Sequence, residues 1–194
     1  MLRAIKVRLY PNKEQEQTLN KTLGCYRFIY NRMLALKQQE YNENKKSLGL
    51  KELSRYFYWT LRKDEQYAWL EEQNTKVMEQ AIRQMLTAYD NFFKHNKGFP
   101  KFKSKKDKSS ALFPKNAISK CNTFETRHIT LTQSLKNLRF RCSDLYLIRL
   151  QKYNKNIRSA TLSKTKSGNY FLSILVEMED TELNKFEHTN KQVG

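Results

Sequence analysis

The alternation of apolar and polar positions at the start of the chain predicts a half-buried β-strand over residues 1–10. Ile5, Val7 and Leu9 share one face, and the residues between them form a polar, basic face. Proline and asparagine at positions 11 and 12 end the strand. Asn12, with Gln15 three residues later, is a variant of the capping box that begins a helix.

Three helical segments are predicted next, because apolar residues recur every three or four positions. The first carries an apolar-aromatic stripe over residues 19–41, the second covers about 50–63, and the third covers 75–93 with Thr75 in an N-cap-like position. Gly24 lies inside the first stripe. It predicts a break into two helices, which would be a helix-turn-helix-like arrangement.

From residue 123 onward the period changes to two, which predicts strands. The candidate strands are residues 124–132, 138–142, 146–150, 157–165 and 170–178. The last two flank the short turn Lys166-Ser167-Gly168-Asn169, which is a hairpin signal. Several short strands separated by turns favour a small antiparallel barrel or a sandwich.

The net charge of the chain indicates which class of partner it binds. The net charge is +18, from 37 Lys and Arg against 19 Asp and Glu, which indicates a polyanion such as a nucleic acid. The basic residues concentrate in the stretch 94–108, KHNKGFPKFKSKKDK, whose two phenylalanines are interleaved with lysines. Two interpretations stand: an ordered loop that follows a phosphate backbone, or a solvated run of charge.

Composition also excludes several classes of protein. No stretch approaches the length of apolar residues that a membrane span needs, and no signal peptide begins the chain, so we expect a cytoplasmic protein without a membrane partner. The three cysteines, Cys25, Cys121 and Cys142, include no C-x-x-C motif, and we expect thiols packed in or near a core. No catalytic motif occurs and the histidines are scattered, so we predict no catalytic residue, no metal site and no cofactor.

Several segments together resemble one family. The stretch RLYPNKEQEQTLNKTLGCYRFIYNRMLALKQQEY, followed by NTKVMEQAIRQMLTAYDNFF, KGFPKFKSKK and IRSATLSKTKSGNYFLSILVEME, is similar in order and spacing to the N-terminal region of TnpB, also called OrfB. TnpB is the "transposase" of small bacterial insertion sequences, an RNA-guided DNA endonuclease related to type V CRISPR effectors. The resemblance covers about residues 1–180.

The resemblance implies an α+β fold: an oligonucleotide-binding-like antiparallel β-barrel with a helical, helix-turn-helix-like bundle inserted after the first strand. Residues 1–10 would be the first strand of this wedge barrel, and 11–96 the helical recognition domain. Residues 97–180 would be the basic loop and the remaining barrel strands. Residues 181–194 would be a linker or tail that leads to a RuvC-like nuclease domain.

The resemblance also implies where cleavage resides. The family's nuclease domain begins with a V-G-I-D-x-G strand whose Asp binds metal, and this sequence ends in KQVG. We therefore expect the Mg²⁺-binding carboxylates and the zinc ribbon to lie beyond the sequence, and this chain alone not to cut DNA. A separately encoded nuclease half is a further expected partner.

The resemblance assigns nucleic-acid contacts to named positions. For a short target-adjacent motif in double-stranded DNA these are Ser54, Thr75, Glu79 and Gln80. For a guide RNA derived from the transposon end they are Lys6, Arg8, Tyr10, Arg27, Asn31, Lys97, Phe99, Lys101, Lys103, Lys105 and Arg158. Gln pairs with adenine and Glu with the amino group of cytosine, so Glu79, where family members often have Gln, bears on the motif.

Three alternatives stand beside this interpretation. In the first alternative, the helix positions assigned to the DNA motif are ordinary solvated residues that contact no DNA. The protein would be an RNA-independent helix-turn-helix regulator or repressor of its element. The chain would be the product of a degenerate gene.

Overall fold

The computed structural model describes residues 1–179. Its strands are β1 (Leu2–Leu9), β2 (Ser109–Pro114), β3 (His128–Ile129), β4 (Leu138–Arg141), β5 (Ile157–Lys164) and β6 (Tyr170–Glu177). Its helices are α1 (Lys13–Asn44), α2 (Leu50–Trp59), α3 (Thr75–His95) and α4 (Asp144–Lys152), and short 3₁₀ turns connect α2 to α3. The predicted linker over residues 181–194 lies outside the described residues.

The strands form one antiparallel sheet in the order β2-β5-β6-β1-β4-β3, which curls into a half-barrel. β1 lies in the middle, where Ile5, Val7 and Leu9 are buried and the residues between them are exposed, as the alternation predicts. The helical bundle follows β1 directly in the chain. The predicted fold class, with its antiparallel barrel-like sheet and inserted bundle, is confirmed.

The capping box at the start of α1 is confirmed, and it also joins the helix to the sheet. The Asn12 side chain accepts a hydrogen bond from the Gln15 backbone at 2.8 Å, and the Gln15 side chain accepts one from the Asn12 backbone at 3.0 Å. The Gln15 amide then donates to the Lys136 carbonyl before β4, at 2.8 Å. One side chain therefore fixes both the start of α1 and its position beside β4.

The predicted break at Gly24 is wrong, because α1 continues without interruption from Lys13 to Asn44. A helical glycine costs up to about 1 kcal/mol relative to alanine, and the buried residues on either side, Leu23 and Tyr26, offset that cost through packing. The first interruption of the helical bundle comes instead at the end of α1. Lys45 takes a left-handed conformation (φ 53°) and ends α1.

One predicted strand is a helix. Residues 146–150 belong to α4, whose cap is Ser143: its hydroxyl accepts from the Tyr146 backbone at 3.4 Å. The apolar residues Leu147 and Leu150 are packed inward one helical turn apart, and this short segment fits either period. The predicted strand over 124–132 shrinks to His128–Ile129.

Other boundaries of strands and helices also differ from the prediction, for local reasons. Positive φ angles at Phe124 (66°) and Arg127 (55°) interrupt the extended backbone before β3. β2 was missed, because it is only six residues long and follows the lysine-rich stretch. The cap of α3 is Asn74, not Thr75: its side chain accepts from the Lys76 and Val77 backbones.

The hairpin of β5 and β6 is confirmed, and it depends on a glycine. Gly168 has φ +83°, a conformation that side chains disfavour. Its N–H donates to the Thr165 carbonyl at 3.1 Å, and the Thr165 N–H donates to the Asn169 carbonyl at 2.9 Å. The turn carries Lys166 into solvent.

The cysteine prediction holds only in part. Cys25 is buried in the core, where burial raises the pKa of its thiol to about 11. Cys142 is half-buried, but Cys121 is exposed, which contradicts the prediction for that residue. Among the helices of residues 1–179, none has the length and apolar character that crossing a membrane requires.

Candidate nucleic-acid interface

The outer surface of the half-barrel combines cations with aromatic rings. The strand pairing sets Arg8 opposite Phe171 of β6 on one side and opposite Arg141 of β4 on the other. Lys6 and Tyr10 lie on the same face, because alternate residues of a strand point to the same side. We call this set of five residues the sheet face: Lys6, Arg8, Tyr10, Arg141 and Phe171.

The aromatic rings of the sheet face make cation–π contacts with its basic side chains. The guanidinium carbons of Arg8 and Arg141 lie 5.2 and 5.1 Å from the centre of the Tyr10 ring. The Lys6 ammonium lies 4.7 Å from the centre of the Phe171 ring. Aromatic faces stack on unpaired bases and cations neutralise phosphates, so this arrangement suits a single-stranded or looped nucleic acid.

A groove lies between α1, the lysine-rich loop and the β5–β6 hairpin. It has a volume of about 670 Å³. Five cations line it, against one carboxylate, that of Asp107; we call this the basic groove: Arg27, Lys105, Lys106, Lys164 and Lys166. The sheet face and the hairpin are linked by Arg8, which donates to the Asn169 side chain at 2.7 Å.

The single acid of the basic groove shapes the loop instead of cancelling its charge. The Asp107 carboxylate accepts a hydrogen bond from the Ser104 backbone at 2.6 Å, which closes a tight turn. This bond, with the Ser104 hydroxyl, lowers the pKa of Asp107. The groove therefore keeps a net positive charge around a fixed turn.

Residues 97–108, the basic loop, lie along α1 and are anchored at their middle. The Asn31 side chain donates to the Lys103 carbonyl at 2.9 Å and accepts from the Lys103 N–H at 2.8 Å. The Lys103 ammonium donates to Gln84 of α3 at 2.6 Å and lies 4.0 Å from the centre of the Tyr30 ring. Burial lowers the pKa of Lys103.

These contacts separate the predicted RNA-binding residues into two groups. Asn31 and Lys103 are engaged inside the protein and hold the loop on the helices. The groups that face solvent are Lys6, Arg8, Tyr10, Lys97, Phe99, Lys101 and Lys105, with Arg27 half-buried in the basic groove.

Arg158 lies apart from the other predicted RNA-binding residues. It pairs with Glu177 at the far end of β6. Phe171 and Glu177 are six residues apart on that strand, or about 20 Å at ~3.3 Å per residue. Arg158 is therefore not brought together with Arg8 and Tyr10.

The predicted DNA-motif residues lie around the junction of α2 and α3. Glu79 accepts a hydrogen bond from Tyr58 at 3.3 Å and pairs with Arg83 at 2.8 Å. Burial, and then the nearby Glu79 carboxylate, raise the pKa of Tyr58. The Ser54 hydroxyl is buried, and within residues 1–179 it has no hydrogen-bond partner. Thr75 and Gln80 are half-buried on the first two turns of α3.

The structure also adds residues that the site prediction missed. Arg141, Phe171, Lys164 and Lys166 complete the two surfaces described above. Only the register of β1 with β4 and β6 shows that Arg141 and Phe171 meet Arg8 and Tyr10. Lys164 and Lys166 reach the basic groove because the β5–β6 hairpin lies beside α1. Within residues 1–179 no group of three or more His, Cys, Asp or Glu side chains could hold a metal ion.

Comparison with known proteins shows which family the chain resembles. A family model of the OrfB_IS605 type, described as a helix-turn-helix domain, matches residues 1–46. In this structure those residues are β1 and α1. The chain is also similar to a protein of Streptomyces pristinaespiralis whose name describes an RNA-guided DNA endonuclease, with 30% identity over 177 residues, 90% of this chain.

Two further relatives match shorter parts of the chain. InsQ of Escherichia coli K12, also named as an RNA-guided DNA endonuclease, is 26% identical over 114 residues. The virulence protein VsdF of Salmonella dublin is 36% identical over 116 residues, which are 98% of its own length. The chain spans 41% of the length of the Streptomyces protein and 28% of that of InsQ.

Proposed function

The chain belongs to the OrfB/TnpB type, of which it is an N-terminal portion, and from this premise we propose that it binds a guide RNA and a short motif in double-stranded DNA. The RNA would lie on the sheet face and the basic groove. The DNA motif would be read near the junction of α2 and α3. Residues 1–10 and 97–180, which include the half-barrel strands, would act as the wedge domain, and residues 11–96 as the recognition domain.

One observation carries the RNA part of the proposal: the Tyr10 ring lies against two guanidinium groups, Arg8 and Arg141, on an open sheet surface. A base can stack on the ring or on a guanidinium plane, and the same cations can bind the phosphates on either side of it. The basic groove adds a second positive surface, on the side of the β5–β6 hairpin that faces α1. A folded RNA with unpaired bases fits this combination better than a smooth duplex does.

In this proposal residues 1–179 contribute binding, not cleavage. Cutting of DNA would belong to a RuvC-like nuclease part, with Mg²⁺, in the same or in a separate polypeptide. The work would be done in the bacterial cytoplasm, where the element's DNA and transcript are found. Mg²⁺-dependent cleavage of duplex DNA by this chain alone would contradict this assignment.

The test is to purify the chain from cells that carry the element and to sequence the RNA that co-purifies. We expect transcripts from the transposon end, and a complex that forms again with the purified transcript at moderate salt. A variant with Tyr10→Ala and Arg141→Gln should lose most of this RNA, while the control Lys115→Gln at the far end of the sheet should retain it. Recovery of no RNA, with no binding of the transcript, would overturn the proposal.

RNA dependence separates this function from that of a DNA-binding regulator. After treatment with RNase, we expect binding to the motif-containing duplex to fall. A regulator that acts without RNA would bind the ends of the element equally well before and after treatment. Unchanged DNA binding would therefore favour that alternative.

A further inference from the structure

A second groove, at the other end of α1, is lined mainly by aromatic rings. It lies between the last turns of α1, the last turns of α3 and the start of the basic loop, and has a volume of about 650 Å³. We call it the aromatic groove; its rings are those of Tyr41, Tyr89, Phe92, Phe93 and Phe99. Its volume is in the range of pockets that hold small organic groups, about 300–1,000 Å³.

The rings of the aromatic groove are exposed to an unusual degree for large apolar side chains. Phe93 is 71% exposed, Tyr41 56% and Phe99 45%. Phe99 and Phe93 are nevertheless held by ring contacts: Phe99 meets Tyr89 edge-on at 5.4 Å between ring centres, and Phe93 stacks on Tyr89 at 6.3 Å. A preformed aromatic surface of this kind can receive another flat ring.

A buried cation lies at the base of the aromatic groove. The Lys37 ammonium donates to the Ser47 hydroxyl at 2.8 Å and to the Leu48 carbonyl, and it lies 5.2 Å from the centre of the Tyr89 ring. An ammonium has three protons; two are used in these bonds, so an acceptor in the groove can take the third in place of the Tyr89 ring. Burial lowers the pKa of Lys37, although Asp90 and Glu52 oppose this effect.

This cation selects among the possible occupants. An apolar peptide side chain would cover the ammonium without offering it an acceptor, which costs free energy. A nucleobase with a carbonyl oxygen would offer both a flat ring and an acceptor. Ser47 and the amide side chains of Gln38 and Asn42 add polar groups at the rim, which suit a ribose 2′-hydroxyl.

The basic loop joins the aromatic groove to the basic groove. The loop contributes Phe99 to the aromatic groove, is anchored on Asn31 at Lys103, and contributes Lys105 and Lys106 to the basic groove. Asn20 in the basic groove and Tyr41 in the aromatic groove are 21 residues apart on α1, or about 30 Å at 1.5 Å per residue. The exposed Lys97 and Lys101 lie on this path.

We propose that the aromatic groove stacks an unpaired RNA base that carries a carbonyl oxygen, with Lys37 donating to that oxygen. This inference rests on the proposed function, because the base belongs to the RNA strand that the basic loop would follow. It adds a base-stacking site about 30 Å from the basic groove, on the helical bundle. Uracil, guanine and cytosine carry such an oxygen and fit it, whereas adenine has no carbonyl oxygen.

The test uses fluorescently labelled oligouridine of about ten nucleotides, within the site sizes of ~4–16 nucleotides that single-strand-binding folds cover. Binding is measured by anisotropy for the wild-type chain, Phe93→Ala and Tyr41→Ala. Each substitution should weaken binding about 5- to 150-fold, which corresponds to the loss of one stacked base. The slope of affinity against salt should not change, because no phosphate contact is removed.

Matched controls separate this result from a general effect. Trp59→Ala removes an aromatic side chain that is 74% exposed on α2, outside the groove, and should leave binding unchanged. Lys37→Met should reduce the preference for oligouridine over oligoadenosine. A crosslink from 5-iodouridine to Tyr41 or Phe93 would locate the base directly.

The outcomes distinguish the two proposals. If the wild type binds no RNA, the proposed function fails. If the wild type binds oligouridine and both Phe93→Ala and Tyr41→Ala bind equally well, only the inference about the aromatic groove is overturned. It is also overturned if the substitutions alter only self-association in sedimentation.

Discussion

The side chain of Asn31 and the backbone of Lys103 exchange two hydrogen bonds, of 2.9 and 2.8 Å, across 72 residues of sequence. The pair resembles one rung of a β-ladder in which a side-chain amide replaces a strand. It fixes the middle of the basic loop on α1. The lysines on either side therefore present their charges from a defined backbone.

Asn31→Ala should destabilise the protein by about 1–3 kcal/mol, since it removes two hydrogen bonds worth roughly 0.5–1.5 kcal/mol each. The free energy of unfolding in urea measures this loss. Gln17→Ala, on the exposed surface of the same helix, is the matched control and should have little effect. Equal stabilities of the two variants would show that the pair does not hold the loop.

Lys103 should give the protein a recognisable alkaline response. In the folded state, burial lowers the pKa of its ammonium below the ordinary value of 10.5. The unfolded chain then binds more protons between the two pKa values, so the contribution of Lys103 to stability rises with pH through that window. Relative to Lys103→Met, the wild type should gain stability as pH rises toward 10.5, as measured by urea unfolding at a series of pH values.

Lys101 is the control for this pH effect. It lies two residues away in the same loop, but its side chain is exposed. Lys101→Met, measured over the same pH range, separates the burial of one ammonium from the loss of any lysine in the loop. Parallel curves for Lys103→Met and the wild type would contradict the burial of the ammonium.

Much of the architecture could be predicted because it depends on hydrophobic periodicity and capping within short stretches of sequence. The alternation of β1 and the capping box at Asn12 depend only on neighbouring residues, and both are confirmed. Residues 146–150 show the limit of this approach. Five residues with apolar positions at two spacings fit a strand or a helix, and the Ser143 cap decides for the helix.

The candidate site was less predictable, because it depends on long-range register. Lys103 is one of seven lysines in the stretch 94–108, and nothing local distinguishes it from Lys101 or Lys105. Its burial follows from Asn31, Gln84 and Tyr30, which are distant in sequence. Phe171 becomes part of the sheet face only through its pairing with Arg8.

The basic groove should contribute mainly phosphate contacts. Lys105→Gln with Lys106→Gln should weaken binding to all RNA sequences alike, and should reduce the slope of log affinity against log salt by about 0.7–0.9 per lost contact. Anisotropy titrations at several salt concentrations measure this slope. The double variant Lys115→Gln, Lys155→Gln removes two exposed lysines from the far end of the sheet and should change little. An unchanged slope for Lys105 and Lys106 would mean that these residues are only solvated.

Tyr10 should contribute stacking instead of charge. Tyr10→Ala should cost about 1–3 kcal/mol in RNA binding, the range measured for base stacking on aromatic side chains, with the salt slope unchanged. Tyr10→Phe keeps the ring between Arg8 and Arg141 and should bind nearly as well as the wild type. If Tyr10→Phe were as weak as Tyr10→Ala, the hydroxyl and not the ring would be the contact.

The DNA motif should be read by Gln80 more than by Glu79. Both oxygens of the Glu79 carboxylate are engaged, with Tyr58 and Arg83, and its side chain is 18% exposed. Glu79→Gln should therefore lower the pKa of Tyr58 toward its ordinary value, followed by NMR of labelled tyrosines, without changing the preferred base. Gln80→Ala should lose about 1–3 kcal/mol of discrimination at one position, as the loss of a bidentate contact to adenine predicts. Selection from duplexes randomised beside the target, with the RNA-loaded protein, measures both variants. A switch of preference from cytosine to adenine in Glu79→Gln would show instead that Glu79 itself reads the base.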